Sequence, residues 1–224
     1  MAADRSPSLA PRRPVVIMGA GHQGRNILDI FVASGTEVLG FLDDTKSPGQ
    51  AINGVRVLGG FALVEDAGLL SRAAFIVGLG DNRIRGSLFR DIRQRGGMLA
   101  SAIHPAAAIS SFAKLGDGIY VQAFSRVLAN ARVGDFALIE GLTSIGSDVV
   151  IGEAAFVGPG AQLTAEARLG DGAFVGANAA VIGPATVGAH AVIGAGAVVI
   201  DDVPDRALAV GVPCRIKKVL PEPG

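Results

Sequence analysis

The 224-residue chain is 50% hydrophobic but only 5% aromatic, with 32 glycines and no tryptophan. Lysine plus arginine equals aspartate plus glutamate at 20 each, so no basic field points to nucleic acid. Cys214 is the single cysteine, which excludes an intrachain disulfide and suits a reducing cytoplasm.

Residues 1–14 read as a polar, flexible tail without a secretory signal. Val15-Val16-Ile17-Met18 is a continuous apolar run, the pattern of a buried strand. Gly19-Ala20-Gly21-His22-Gln23-Gly24 follows as a complete GxGxxG, and the apolar spacing at Ile27, Leu28, Phe31 and Val32 predicts a helix over 25–34, stopped by Gly35. A second strand is expected over 37–42, ending in Asp43-Asp44. In such a βαβ unit the glycines let a phosphate approach a helix N-terminus, and an acid about twenty residues on accepts ribose hydroxyls.

Further along, 49–60 reads as a loop with a short strand at 55–58. A buried strand is expected over 73–77, followed by Gly78-Leu79-Gly80-Asp81-Asn82 and a helix over 83–95. This layer, 15–100, is about half the size of a full dinucleotide fold, which argues against NAD. From Ile103 to Val199 an aliphatic residue then recurs at every sixth position, seventeen times without a slip. A small residue usually stands four places later and glycine often follows directly, as at Gly134, Gly152 and Gly158. A period of six cannot line one face of an α-helix but suits short strands joined by tight corners. It predicts a parallel β-helix over 101–204 whose coils bury their edges on one another. The uncharged stretch 172–200 is long enough for a membrane span, but the hexads run unbroken through its glycines and Pro184, so no span is expected. Residues 205–224 read as a C-terminal tail carrying Arg215, Lys217 and Lys218, either an ordinary solvated surface or a contact for a phosphorylated ligand.

These parts in this order resemble the bacterial nucleotide-sugar N-acetyltransferases and sialic-acid O-acetyltransferases over residues 15–218. The likeness rests on Gly19–Gly24, Gly40–Asp44, Leu79–Asn82 with Arg85, Ile103-His104-Pro105, the hexads and Gly211-Val212-Pro213. It implies a Rossmann-like half-domain followed by a left-handed β-helix, assembled as a homotrimer. It also implies a UDP-linked amino sugar on the N-terminal domain, acetyl-CoA between neighbouring helices, and no metal. The matching UDP-sugar positions are Gly21, His22, Gln23, Asp43, Asp44 and Gly80, with the family's usual Gly-His replaced by His22-Gln23. The matching acetyl-CoA positions are Phe156, Ala177 and Ala195.

One departure concerns the chemistry. Where the family carries its catalytic histidine and the following acid, this chain has Ser147 and Asp148, and a second family histidine corresponds to Phe156. Acyl transfer to an amine sheds a proton, and a positioned base contributes roughly 10²–10⁴-fold. Among the three histidines, His22 lies in the nucleotide loop, His104 reads as structural and His190 as a corner residue, and no three-histidine zinc set is expected. Three readings stand: a sugar acyltransferase, a nucleotide-sugar-binding protein without catalysis, and another β-helical activity with a different donor or acceptor.

Overall fold

The computed structural model describes residues 13–221, so the expected opening tail lies almost wholly outside the described residues. Val15–Met18 forms β1, fully buried, and α1 spans His22–Ser34. The helix begins three residues earlier than its apolar spacing indicates, because the glycine turn itself supplies the first helical turn with Gly21 as N-cap. Gly35 closes the helix in the left-handed conformation, its N–H donating to the Phe31 and Val32 carbonyls. The remaining elements are β2 (Val38–Leu42), β3 (Ala51–Ile52), β4 (Val55–Gly59), α2 (Ala67–Arg72), β5 (Ala74–Val77), α3 (Asn82–Gln94) and β6 (Met98–Leu99). The sheet order is β3-β4-β2-β1-β5-β6, parallel except for the β3–β4 hairpin. Two short pieces escape the periodicity reading, a 3-10 turn at Phe61–Glu65 and α2. The latter is marked only by its N-cap, Asp66, which accepts from the Leu69 N–H.

The hexads wind into a left-handed parallel β-helix with three faces, each step contributing a two-residue strand. Face I stacks Ala102–Ile103, Tyr120–Val121, Leu138–Ile139, Phe156–Val157, Phe174–Val175 and Val192–Ile193. Face II runs from Ala108–Ile109 to Val198–Val199, and face III from Lys114–Leu115 to Thr186–Val187. The second residue of each strand points inward, and from Val121 onward these aliphatics are at most 4% exposed. Alanines such as Ala137, Ala155 and Ala173 fill the space between them. Corners are made by left-handed residues, among them Phe136, Asp148 and His190, whose N–H groups donate to the preceding coil. Glycine after the aliphatic is a packing demand: a Cβ on Gly152 would lie 2.5 Å from the Asp171 nitrogen. Because the interior is this narrow, Ile139→Val, at a fully buried site, should cost about 0.5–1.5 kcal/mol, read from a denaturant melt.

The C-terminal segment is not a loose tail. Ala207–Val210 adds to face I beside Val192–Ile193, and Arg215–Val219 folds back antiparallel on it. Arg215, Lys217 and Lys218 all lie exposed on that outer strand.

The N-terminal domain sits on the early coils of face I. Phe89 of α3 stacks on Phe136 at a centroid distance of 4.6 Å, and Tyr120 and Leu138 turn outward into the same apolar cluster. Arg85 runs through the joint with only 2% of its surface exposed. Its Nε donates to the Phe136 carbonyl (3.0 Å), Nη1 to that of Leu79 (3.1 Å), and Nη2 to Ala154 (2.8 Å) and Asn82 Oδ1 (2.9 Å).

Candidate active site

The loops after β1 and β5 flank a crevice at the carboxyl edge of the sheet, where crossovers leave β1 in opposite directions. Two glycines of the first loop are forced by packing. Gly19 has φ +100°, and a Cβ on Gly24 would stand 1.8 Å from the Gly19 carbonyl oxygen. Gly21 and Gly80 differ: both are exposed, and a side chain there would meet nothing within 4 Å. Both leave their backbone open, the condition a phosphate needs to approach peptide N–H groups.

His22 is exposed beside Gly21, and its Nδ1 lies 2.9 Å from Arg25 Nη2, which leaves Nε2 carrying the ring proton. The two acids at the end of β2 are engaged with backbone. Asp43 Oδ2 accepts from the Ala20 N–H, while its Oδ1 accepts from the Thr45 N–H and hydroxyl, all within 2.8 Å. Burial works to raise its pKa, but these bonds hold the carboxyl below its ordinary value. Asp43 therefore fixes the shape of the glycine loop. Asp44, exposed, uses Oδ1 for the Phe61 N–H.

Gln23 faces the β-helix. Its amide lies against the Tyr120 hydroxyl and the Glu140 carboxylate of face I, favouring the charged form of each, although its Nε2 is buried without a bond of normal geometry. Gln122 Nε2 donates to the Tyr120 oxygen at 2.9 Å, and Tyr120 donates to Glu140 Oε2 at 3.4 Å. Burial, then Glu140, pushes the tyrosine pKa up; burial also raises that of Glu140. Neither Glu140 nor Tyr120 figures among the residues singled out from the sequence. The signal was there: Glu140 follows the inward-pointing Ile139 at a step where most hexads place glycine.

Phe156 lies one coil on, half-buried against the N-terminal domain and stacked on Phe174 at 4.6 Å. Ala177 and Ala195 occupy consecutive coils at the corner between faces I and II, linked through the Gly196 N–H to the Ala177 carbonyl. Ser147 and Asp148 stand elsewhere, on the corner between faces II and III. There Asp148 borders a cleft of about 440 Å³ with Phe112, Lys114, Asn130, Arg132 and Arg168. Within one protomer the fold thus sets Gln23 against Tyr120 and Glu140 of face I, but leaves Ser147 and Asp148 on another edge of the prism.

Two clefts open on the remaining corner, between faces III and I. One, about 710 Å³, is lined by Asn82, Ser87, Arg90, Glu153 and His190, and another, about 420 Å³, joins Gly80 to Phe174 and Val192. His104 is structural, its Nδ1 accepting from the Ala106 N–H at 2.9 Å. Among the described residues no group of three or more histidine, cysteine or acidic side chains is arranged to hold a metal, and no helix is long and apolar enough to cross a membrane.

Comparison with known proteins bears on this geometry. The PglD N-terminal domain matches residues 14–92, and the six-repeat bacterial transferase hexapeptide matches residues 166–201. A point mutant of perosamine N-acetyltransferase from Caulobacter crescentus, solved with CoA and GDP-perosamine, is 35% identical with a TM-score of 0.88, covering 93% of this chain and 98% of its own. The chain belongs to the PglD-type sugar acetyltransferase family. Another member in structure is the acetyltransferase domain of PglB from Neisseria gonorrhoeae, solved with acetyl coenzyme A, at 29% identity and a TM-score of 0.87, covering 92% of this chain and 100% of that domain. The chain also matches Uncharacterized protein L142 of Acanthamoeba polyphaga mimivirus at 29% identity over 117 residues, or 52% of this chain, and spans 23% of that protein's length. Family members therefore share both layers, the crevice domain and the prism, in one order along the chain.

Proposed function

We propose that this protein transfers the acetyl group of acetyl-CoA to the amine of a nucleotide-linked amino sugar, with UDP as the carrier. One observation carries the reading: Gly21 and Gly80, in the loops after β1 and β5, present exposed backbone that no neighbouring atom covers, and the cleft at Gly80 runs on to Phe174 and Val192 of face I. The diphosphate rests on the N–H groups at the start of α1, and the sugar reaches toward face I. The CoA chain follows the row of alanines, where small side chains leave backbone groups accessible. A homotrimer supplies the second wall of the donor groove and brings Ser147 and Asp148 of a neighbouring protomer to the sugar end. An acetyl-CoA donor and the lone thiol of Cys214 fit a cytoplasmic setting.

A second reading, binding of the nucleotide sugar without catalysis, is favoured by Ser147, since a serine hydroxyl is a poor base. One experiment separates the two. Incubation with acetyl-CoA and a panel of UDP- and GDP-linked amino sugars should release thiol and yield an acetylated sugar. The GDP-perosamine bound by the Caulobacter relative is the reason for including GDP-linked acceptors. Tight binding with no thiol release above background would sink the transferase and leave the binding protein. The position of Ser147 is checked by Ser147→His, expected to raise turnover about tenfold if this corner faces the amine. An unchanged rate in a folded variant counts against that placement.

A further inference from the structure

We propose that Glu140 is the proton acceptor of the acetyl transfer, taking over from the missing histidine the removal of a proton from the sugar amine. The inference rests on the transferase reading above and adds the residue that makes it work without a histidine.

Position is the first argument. Glu140 directly follows Leu138–Ile139, the strand that pairs with Phe156–Val157, and its N–H donates to the Val157 carbonyl at 2.9 Å. It therefore lies on face I next to the coil that carries Phe156, while Gln23 of the glycine loop faces its carboxylate. A sugar attached to a diphosphate on that loop has this carboxylate in reach. The equivalent positions on the next three coils are Gly158, Gly176 and Gly194, where a Cβ would come within 2.8 Å of neighbouring atoms. Glu140 is thus the last side chain before a row without any, alongside the alanine row assigned to the donor.

Its surroundings are the second. A half-buried carboxylate with no cationic partner is costly unless something requires it. The groups facing it are the Tyr120 hydroxyl, the Gln23 amide and the Gly141 N–H, all neutral, with Gln122 behind the tyrosine. Among the described residues no lysine, arginine or histidine contributes to its titration. Burial is the largest influence and raises its pKa above that of an ordinary carboxylate, against the lowering effect of its hydrogen bonds. The buried Gln23 Nε2, lacking a full partner, offers a donor to an incoming sugar oxygen at the same spot.

In the step, the substrate ammonium gives one proton to the Glu140 carboxylate and becomes a neutral amine. The nitrogen then bonds to the thioester carbonyl carbon as the carbon–sulfur bond breaks. The departing thiolate takes the second nitrogen-bound proton and leaves as thiol, and Glu140 returns its own proton to solvent.

The test is Glu140→Gln, which keeps shape and hydrogen bonding but cannot take a proton. Turnover should fall about 10²-fold, with KM for acetyl-CoA and for the acceptor within about threefold of wild type. The acidic limb of the wild-type rate–pH profile, set by protonation of this carboxylate, should be absent from the variant. Stability should move the other way. A carboxylate whose folded pKa is raised binds protons more readily in the native state, so its contribution falls as pH rises through that value. Removing the charge should therefore raise the melting temperature at pH 7 by about 2–4 °C. A wild type that turns over and a variant with unchanged turnover and acidic limb overturn the role of Glu140 alone. A variant that loses acceptor binding in step with turnover also overturns it, in favour of ground-state contact. A wild type inactive on every acceptor overturns the transferase reading and this proposal with it.

Discussion

Gly24→Ala should unfold the N-terminal domain, whereas Gly21→Val should leave it folded and abolish nucleotide-sugar binding. The two glycines stand three residues apart in one motif, yet their surroundings demand opposite outcomes. A methyl group on Gly24 would sit 1.8 Å from the Gly19 carbonyl oxygen, inside a turn already fixed by Asp43, and Gly78 of the adjoining loop packs on the Gly24 backbone. No side chain can move aside, because the obstacle is main chain. The strain exceeds the 1–3 kcal/mol of ordinary overpacking, so about 4 kcal/mol or more is expected, a large share of a small domain's stability. Gly21 has φ −75° and ψ −162°, extended values open to a β-branched residue, and its side-chain space is empty. Valine there fills the approach a phosphate would use, so affinity should drop at least about 100-fold while the melting temperature holds within about 2 °C. Thermal melts paired with calorimetric titration of UDP- and GDP-linked sugars check both halves. Wild-type affinity in Gly21→Val would show that the nucleotide binds elsewhere.

That contrast also marks what the sequence made legible. The hexad period reports inward-pointing residues one by one, so Ile139, Val157 and Val175 could be placed without coordinates. The GxGxxG after a buried strand likewise marked the turn that leads from β1 into α1. What the pattern could not carry was meaning across faces. Ser147 and Phe156 are nine residues apart, and in one protomer a coil of eighteen residues puts them on different edges. Glu140 and Tyr120, by contrast, meet because they are nearly one coil apart, a relation visible only once the coil length is known. The acids after β2 matched a ribose-binding pattern, yet Asp43 turned inward to the loop amides, a choice made by tertiary packing. The C-terminal hairpin was missed because its outer strand is exposed along its whole length and offers no alternation to read.

Arg85→Met should destabilise the protein by about 3–5 kcal/mol and lower its melting temperature by about 10 °C. The guanidinium bridges the loop after β5 to two corners of the prism, with carbonyl acceptors on Leu79, Phe136 and Ala154. Burial lowers its pKa to about 10, so it stays charged at neutral pH, helped by Asp81 nearby. Methionine fills much of the volume but leaves those carbonyls without a donor, and each unpaired buried group costs about 1–3 kcal/mol. Lysine keeps the charge but brings one compact ammonium in place of a planar fork, so Arg85→Lys should recover only a minor part of the loss. Because Nη1 also holds the Leu79 carbonyl beside Gly80, nucleotide-sugar affinity should fall in the methionine variant even below its melting transition. Melting curves with and without saturating acceptor check this: the ligand-induced rise in melting temperature should shrink in Arg85→Met. A variant that melts as wild type would mean that the Phe89–Phe136 stack and the outward face of Tyr120 and Leu138 hold the domains together unaided.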